Sequence, residues 1–301
     1  MIKVNCNLCG RDDYRVRFPA TANGDALHVE AFRCTHPGYG HHGQIVECRN
    51  CGLVYANPRW PADDVLEAYT AVEDMTYVEE REGRELTFRH HLRRIERIAG
   101  PAAGRDLLDV GAYIGVFVEA AIEAGWRARG IEPSEWAAAE ARRRGLDVRT
   151  GTLETAALPE ESFDVLTLWD VIEHLTDPAT ELERARKLLR PDGWLVVHTM
   201  DIDAPIARLL GRRWPWLMDM HLYFFSAKTL ERMLAEHGYE VVWQGPEGRY
   251  LSLGYLASRV AAMQAVLGRV ARAVVNGLGW QHAEVSVNTG DLRTFICRRV
   301  R

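Results

Sequence analysis

The feature that most limits what this chain can fold into is a change of rhythm at Asp106. From there on, short apolar runs alternate with stretches of helical periodicity. Residues 107–110, 128–131, 148–150, 163–169 and 194–199 read as strands, the fourth rich in β-branched and aromatic side chains. Three helices separate them. One covers 116–124 and is ended by Gly125. An Ala- and Arg-rich one is opened by Pro133-Ser134 and stopped at Gly145. The third has Asp177 as cap and Pro178 in its first turn, and Pro191-Asp192-Gly193 ends it. Strands joined through helices pair in parallel, with the crossover helices on both faces of the sheet. A Ser226-capped helix stopping at Gly238, then strands at 239–244 and 292–298, bring the expected α/β sheet to seven strands.

Ahead of this pattern the chain is different. Residues 1–60 are loop-rich and hold five of the six cysteines. Residues 61–104 read as a helical cap, with Leu92, Ile95 and Ile98 at helical spacing, closed by Gly100-Pro101 and Gly104. The expected organisation is a small N-terminal domain over 1–60, a helical linker over 61–104 and a catalytic domain over 105–301; 301 residues accommodate all three. A formal net charge of -5 argues against a nucleic-acid binder as a whole. No apolar leader and no uncharged run of membrane-spanning length is visible, so the expected location is the cytoplasm. Thiols stay reduced there, and paired cysteines read as metal ligands. Cys6-x-x-Cys9 and Cys48-x-x-Cys51 form two knuckles that can hold one structural Zn²⁺ through four thiolates. Cys34, His36, His41 and His42 lie in the insert between the pairs, where solvated loop residues are the plainer reading.

In an open parallel sheet, ligands bind beyond the carboxyl ends of the central strands. Asp109-Val-Gly111-Ala-Tyr113-Ile-Gly115 follows the first strand and opens a helix, and a lone acid, Glu132, ends the second, where a carboxylate can accept from both hydroxyls of a ribose. The spacing lacks the Gly-x-Gly-x-x-Gly of a nicotinamide site. This turn, Glu132, the strand over 162–170 and Leu188-Leu-Arg-Pro-Asp-Gly193 together resemble the class I S-adenosylmethionine-dependent methyltransferases, over about residues 107–242. The resemblance implies a Rossmann-like methyltransferase sheet binding S-adenosyl-L-methionine. It implies a cofactor set of Asp109, Gly111, Tyr113, Gly115, Glu132, Thr152, Leu153 and Asp170, with the glycines at the methionyl part, Glu132 on the ribose, and Thr152, Leu153 and Glu154 by the adenine. Tyr113 stands where the family usually has glycine. A side chain there either covers the methionyl end or weakens binding.

Trp169-Asp170-Val-Ile-Glu173-His174 follows the fourth strand. Asp170, Glu173 and His174 are expected on one turn of helix, and His174 can serve as a base for an acceptor hydroxyl. The segment resembles the ubiquinone-pathway O-methyltransferases, which implies a divalent ion such as Mg²⁺ at these three positions; a helix-capping role competes with it. His221, in an aromatic segment after the fifth strand, is a second candidate catalytic residue. The cysteine pairs, the second continuing to Cys51-Gly-Leu-Val-Tyr-Ala-Asn-Pro58, resemble a bacterial subfamily acting in sugar, surface-polysaccharide and secondary-metabolite pathways.

The reading is an S-adenosylmethionine-dependent enzyme that O-methylates a small-molecule or glycan acceptor. Two others compete. One is an RNA methyltransferase docking through the ribbon, although seven Lys and Arg against five Asp and Glu up to Arg59 is a weak basic excess. The other is a non-catalytic scaffold, supported by Tyr113 alone. Between Glu247 and Glu284 there is no acid, and Leu256, Val260, Met263, Leu267, Val270 and Val274 form one apolar stripe on a continuous helix. That stripe either packs on the core or lids the acceptor site, with Arg259 and Arg269 meeting an anionic acceptor or a lipid headgroup in a peripheral membrane contact. A homodimer is compatible with the sequence.

Overall fold

The rhythm that starts at Asp106 builds a seven-stranded sheet. The computed structural model describes residues 1–22, 27, 29–36 and 38–300. In chain order the N-terminal part gives β1 (Tyr14–Phe18), β2 (Ile45–Cys48), β3 (Val54–Ala56), α1 (Ala62–Thr70), α2 (Met75–Glu79) and α3 (Arg81–Ala99). Then follow β4 (Asp106–Val110), α4 (Val116–Glu123), β5 (Arg127–Glu132), α5 (Glu135–Arg143), β6 (Val148–Thr150), β7 (Phe163–Trp169), α6 (Pro178–Leu188) and β8 (Leu189–Met200). The remainder is α7 (Pro205–Leu210), β9 (Tyr223–Phe224), α8 (Ala227–Glu236), β10 (Tyr239–Pro246), β11 (Arg249–Ser252), α9 (Leu253–Met263), α10 (Ala265–Gly277), β12 (Glu284–Val287) and β13 (Leu292–Arg299).

The main sheet runs β10-β13-β8-β7-β4-β5-β6. Its five central and outer strands, β6 to β8, are parallel, and β13 enters antiparallel between β8 and β10. The strands are apolar on both sides because helices cover both faces: Leu107, Leu108, Val165, Leu166, Leu195, Val196 and Val197 are all inaccessible. The cap residues act as read. Ser134, Asp177 and Ser226 each accept from the amide three residues on, at 3.3, 3.1 and 3.2 Å.

Four details depart from the expectations. Residues 61–99 are three helices, because Asp74 leaves the helical pattern to cap α2 and to bind Thr35, accepting from its amide at 2.9 Å and its hydroxyl at 2.6 Å. Pro191-Asp192-Gly193 lies within β8, with Asp192 at φ 62, and α6 already ends at Leu188. The apolar stripe is not one helix. Gln264 (φ -147, ψ 96) breaks it, and α10 folds back on α9 so closely that a Cβ on Gly268 would lie 2.1 Å from Ala261 Cα. Nor does the stripe pack on the core: Met263, Leu267, Val270 and Val274 are each more than half exposed.

The N-terminal strands form a second sheet, β1-β2-β3-β9, whose last strand comes from the far end of the chain. Val54 pairs with Phe224 and Tyr55 with Tyr223. The cores are continuous as well: Cys6, Cys48, Leu53 and Tyr55 share one apolar cluster with Leu108, Leu168 and Tyr223.

Candidate functional site

Two clusters of polar side chains stand out, one sulfur-based and one built on imidazoles. In the first, Cys6, Cys9, Cys48 and Cys51 converge with all four sulfurs within 4.8 Å of one another. Each pair closes through a tight turn: Gly10 N donates to Cys6 O at 2.8 Å and Gly52 N to Cys48 O at 2.9 Å. Both glycines sit in the left-handed region (φ 72 and 80) that follows such a knuckle. Cys6 Sγ lies 3.4 Å from Cys51 Sγ and Cys9 Sγ 3.5 Å from Cys48 Sγ. These gaps are far beyond a disulfide and close to the roughly 3.8 Å edge of a tetrahedron with Zn–S bonds of about 2.3 Å. Burial pushes the Cys6 thiol up and Cys51 up to about 11, whereas at Cys9 backbone and Asn50 donors outweigh burial and bring it down to about 7. The donor set and spacing fit a four-coordinate thiophilic cation.

The second cluster lies at the carboxyl ends of β4, β5 and β7. A cleft of about 410 Å³ opens there, lined by Gly111, Thr152, Leu153, Tyr69, Val171 and His174 among others. Gly111 must be glycine twice over: φ is 71, and a Cβ would meet Val171 Cγ2 at 2.6 Å. Glu132 is buried, and its two oxygens accept from Tyr113 N and Ser134 N, each at 2.9 Å. Burial pushes it up to about 7 even though both amides pull it back. Each oxygen keeps a further lone pair for a ligand hydroxyl.

Four cofactor-set residues sit differently from expectation: Asp109, Gly115, Tyr113 and Asp170, which binds Arg249. Asp109 does not face the cleft; it accepts from Thr167 Oγ1 at 2.6 Å inside the sheet, and burial drives it up to about 8. Gly115 serves packing, since its Cβ position is blocked by Leu146 at 2.6 Å and Ala141 at 3.1 Å. Tyr113 adopts a left-handed φ of 49 and turns its ring between Tyr77 of α2 and Trp136 of α5, with centroids at 4.4 and 6.0 Å. Its ring therefore ties α2 to the glycine turn.

Asp170, Glu173 and His174 are not on a helix. Asp170, at φ 54, swings the chain out of β7 into an irregular turn. Its carboxylate accepts from Arg249 at 2.6 Å; against the upward push of burial, Arg249 and His198 hold it below the ordinary range. Asp170 is thus engaged elsewhere, and His221 takes its place in the cluster. Ligand atoms of Glu173, His174 and His221 all lie within 4.8 Å of one another. His174 Nδ1 donates to Met220 O at 2.8 Å and His221 Nδ1 to Trp216 O at 2.7 Å. Because a carbonyl can only accept, both rings keep Nε2 unprotonated. Burial lowers His174 and takes His221 down to about 3. Glu173 accepts from Thr199 Oγ1 at 2.9 Å and is pushed up to about 8, by burial first and then by the Asp170 charge. Two neutral imidazoles with fixed Nδ1–H and a carboxylate sharing one space fit a divalent cation.

His198, Arg84 and Tyr69 are functional-site residues that sequence reasoning misses. The Tyr69 ring lies against His174, tilted by 59° with centroids 5.9 Å apart, and Arg84 lies 3.6 Å from the Tyr77 ring centre with its Nε buried and without a hydrogen-bond partner. Arg249 and Arg259 belong to the acid-free stretch whose arginines are expected to meet an anionic acceptor or a lipid headgroup; the structure sets Arg249 on Asp170.

A methyltransferase-domain family profile matches residues 79–244. A probable S-adenosylmethionine-dependent methyltransferase of Mycolicibacterium smegmatis is 33% identical over 51% of this chain and 59% of its own length. A ubiquinone biosynthesis O-methyltransferase of Actinobacillus pleuropneumoniae is 36% identical over 36% of this chain and 50% of its own. The chain therefore spans between half and three fifths of the length of these relatives. Among solved structures, a SAM dependent methyltransferase from Archaeoglobus fulgidus aligns over 75% of this chain and 100% of that one, with a TM-score of 0.51 and 17% identity, a likeness of fold.

Proposed function

We propose that this chain, which belongs to the methyltransferase-domain family, moves the methyl group of S-adenosylmethionine to a hydroxyl of a small polar acceptor. The observation that carries this reading is the cleft itself, which starts at Gly111 and Thr152 and ends on His174, one of two imidazoles with open Nε2 atoms. S-adenosylmethionine, when bound, supplies a sulfonium methyl for in-line displacement. Glu132 would hold the ribose, Gly111 lets the backbone approach the methionyl part, and Thr152 and Leu153 border the adenine. His174 Nε2 would take the proton that the acceptor hydroxyl gives up as its oxygen accepts the methyl group.

His221, at about 3, is too weak a base to share that duty at neutral pH. Its fixed tautomer suits a ligand better. Glu173, His174 and His221 would hold a divalent cation such as Mg²⁺ or a transition ion, which lowers the pKa of a coordinated hydroxyl. In that version His174 is a ligand and no longer the base. The Cys6, Cys9, Cys48 and Cys51 cage would hold a structural Zn²⁺. Its sheet supports the site, because β9 follows His221 directly, and Leu222 N and Tyr223 N donate to Glu173 O at 2.8 and 3.1 Å.

The acceptor is of the sugar, glycan or secondary-metabolite kind, and an anionic group on it is supported by Arg84 and Arg259. Both Nε atoms are buried without a partner, and neither residue has an ion pair among the described residues. The test is transfer of labelled methyl to a panel of hydroxylated acids and their neutral analogues, with and without EDTA. Label moving to the acids, and lost with EDTA, supports the cation version. Transfer that ignores EDTA but fails in His174→Ala leaves His174 as base. A chain that binds no S-adenosylmethionine by calorimetry would be a scaffold.

A further inference from the structure

The segment between β10 and β13 is an arm. Its stalk is the two-stranded ribbon of β11 and β12, and its head is the α9–α10 hairpin. At the base Arg249 reaches Asp170, and Ser252 Oγ donates to Glu80 at 2.8 Å, so the arm is anchored on the cleft side. Beyond the start of α9, where Tyr255 and Arg259 are packed, the head is largely uncovered by the described residues. Ala257 and Gly268 are its buried residues, whereas Met263, Val266, Leu267, Val270, Val274 and Trp280 are each between 54% and 61% exposed. Val266, Val270 and Val274 follow one another at steps of four and make a single outward apolar face.

Two observations identify what covers that face. The chain carries net charge -5, yet no Asp or Glu occurs between Glu247 and Glu284, and Arg269 and Arg272 are exposed on α10. The head therefore has the opposite sign from the rest of the molecule. A second copy would bring the same arginines to the same interface with no acid on the hairpin to meet them. An anionic surface meets them without repulsion. Trp280, exposed just beyond α10, is a side chain that settles at the headgroup level of bilayers. We infer that the α9–α10 hairpin docks on the surface of an anionic lipid bilayer, its apolar face in the headgroup region and its arginines on the lipid phosphates. This goes beyond the methyl-transfer reading and does not depend on it.

The test is flotation of the full chain with vesicles of phosphatidylcholine alone or mixed with phosphatidylglycerol. Retention should be roughly tenfold or more higher on the anionic vesicles, from two arginines at the surface, and should fall in high salt. Leu267→Asp with Val270→Asp should abolish it and leave the melting temperature unchanged, since both side chains are already in water. Arg269→Gln with Arg272→Gln should remove the preference for phosphatidylglycerol. Equal retention by the Asp variant, or none by the native chain, overturns the inference. So does a dimer by light scattering that the Asp variant dissolves while neither protein floats, which would give the face to a second copy.

Discussion

The two ends of the cleft are built by opposite means. At the Glu132 end the fixing groups are backbone amides of the adjoining turns: Glu132 is held by amides of residues 113 and 134. At the His174 end three of the functional side chains are fixed from other stretches of chain, and only His221 is held close by, on Trp216 O. His174 leans on Met220, Glu173 on Thr199, and Asp170 on Arg249. The first arrangement is set once β4 and β5 pair. The second exists only when β9, β8 and the β11 ribbon have all arrived. Burial moves protonation at both ends, Glu132 up at one and Glu173 up with His174 and His221 down at the other, but only the far end brings several such groups into one space. The division agrees with the proposed function, in which the Glu132 end holds the cofactor and the His174 end carries the proton transfer.

The largest effect should come from attacking the far end through the cysteine sheet. Cys48→Ser should release the metal and cost about 4 kcal/mol or more, as loss of a structural ion does. Activity should vanish in the folded fraction while its cofactor affinity changes little. Metal analysis, thermal melts and calorimetry on that variant check this, and cofactor binding lost in step with activity would erase the difference between the ends. Next, His174→Ala and His221→Ala should each lower kcat by roughly 10²–10³-fold with the dissociation constant for S-adenosylmethionine unchanged. Full activity in both would mean that the base lies elsewhere.

Acidity offers a sharper version. With no cation, Glu173 titrates near 8 in the folded chain, above its ordinary value of 4.5. The folded state then holds a proton that the unfolded state has released, so this group's contribution to stability is present below about 4.5 and is lost as pH rises to about 8. A divalent cation should flatten that slope, read as melting temperature against pH with and without Mn²⁺. A slope indifferent to the cation would remove Glu173 from the ligand set.

At the cofactor end, Glu132→Ala should weaken S-adenosylmethionine by about 1.5–3 kcal/mol, and kcat at saturation should hold. An unchanged affinity would place the ribose elsewhere. The smallest expected change is Tyr113→Phe. The hydroxyl is buried without a partner, so its removal should alter stability by less than about 0.5 kcal/mol and leave affinity alone. A clear loss of affinity would show that this hydroxyl touches the cofactor.

The same contrast explains what could be read from residues alone. The order of strands and helices, the glycine turn and the acid at Glu132 are legible because each is encoded within a few consecutive positions. The cysteine pairs are legible because the knuckle is a local turn. The His174–His221 partnership was visible only as two separate histidines, since 46 positions separate His174 from Met220, its anchor. Arg249 is legible only as one arginine of the acid-free stretch, because its partner Asp170 depends on where a ribbon folds back. The broken α9–α10 helix misled for a further reason: a stripe with apolar residues every three or four positions looks the same whether it faces a core or water, and only the Gly268–Ala261 crossing decides the turn.

The strand Tyr223–Phe224 is hydrogen-bonded into the cysteine sheet, yet it is flanked by His221 and by Ser226, the cap of α8. Asn7, inside the first knuckle, also donates to Asp177 at 2.8 Å and accepts from Ala179 N at 3.0 Å, at the start of α6. Among the described residues these links tie the N-terminal part to the main sheet at several points, so heating should melt both sheets in a single cooperative step.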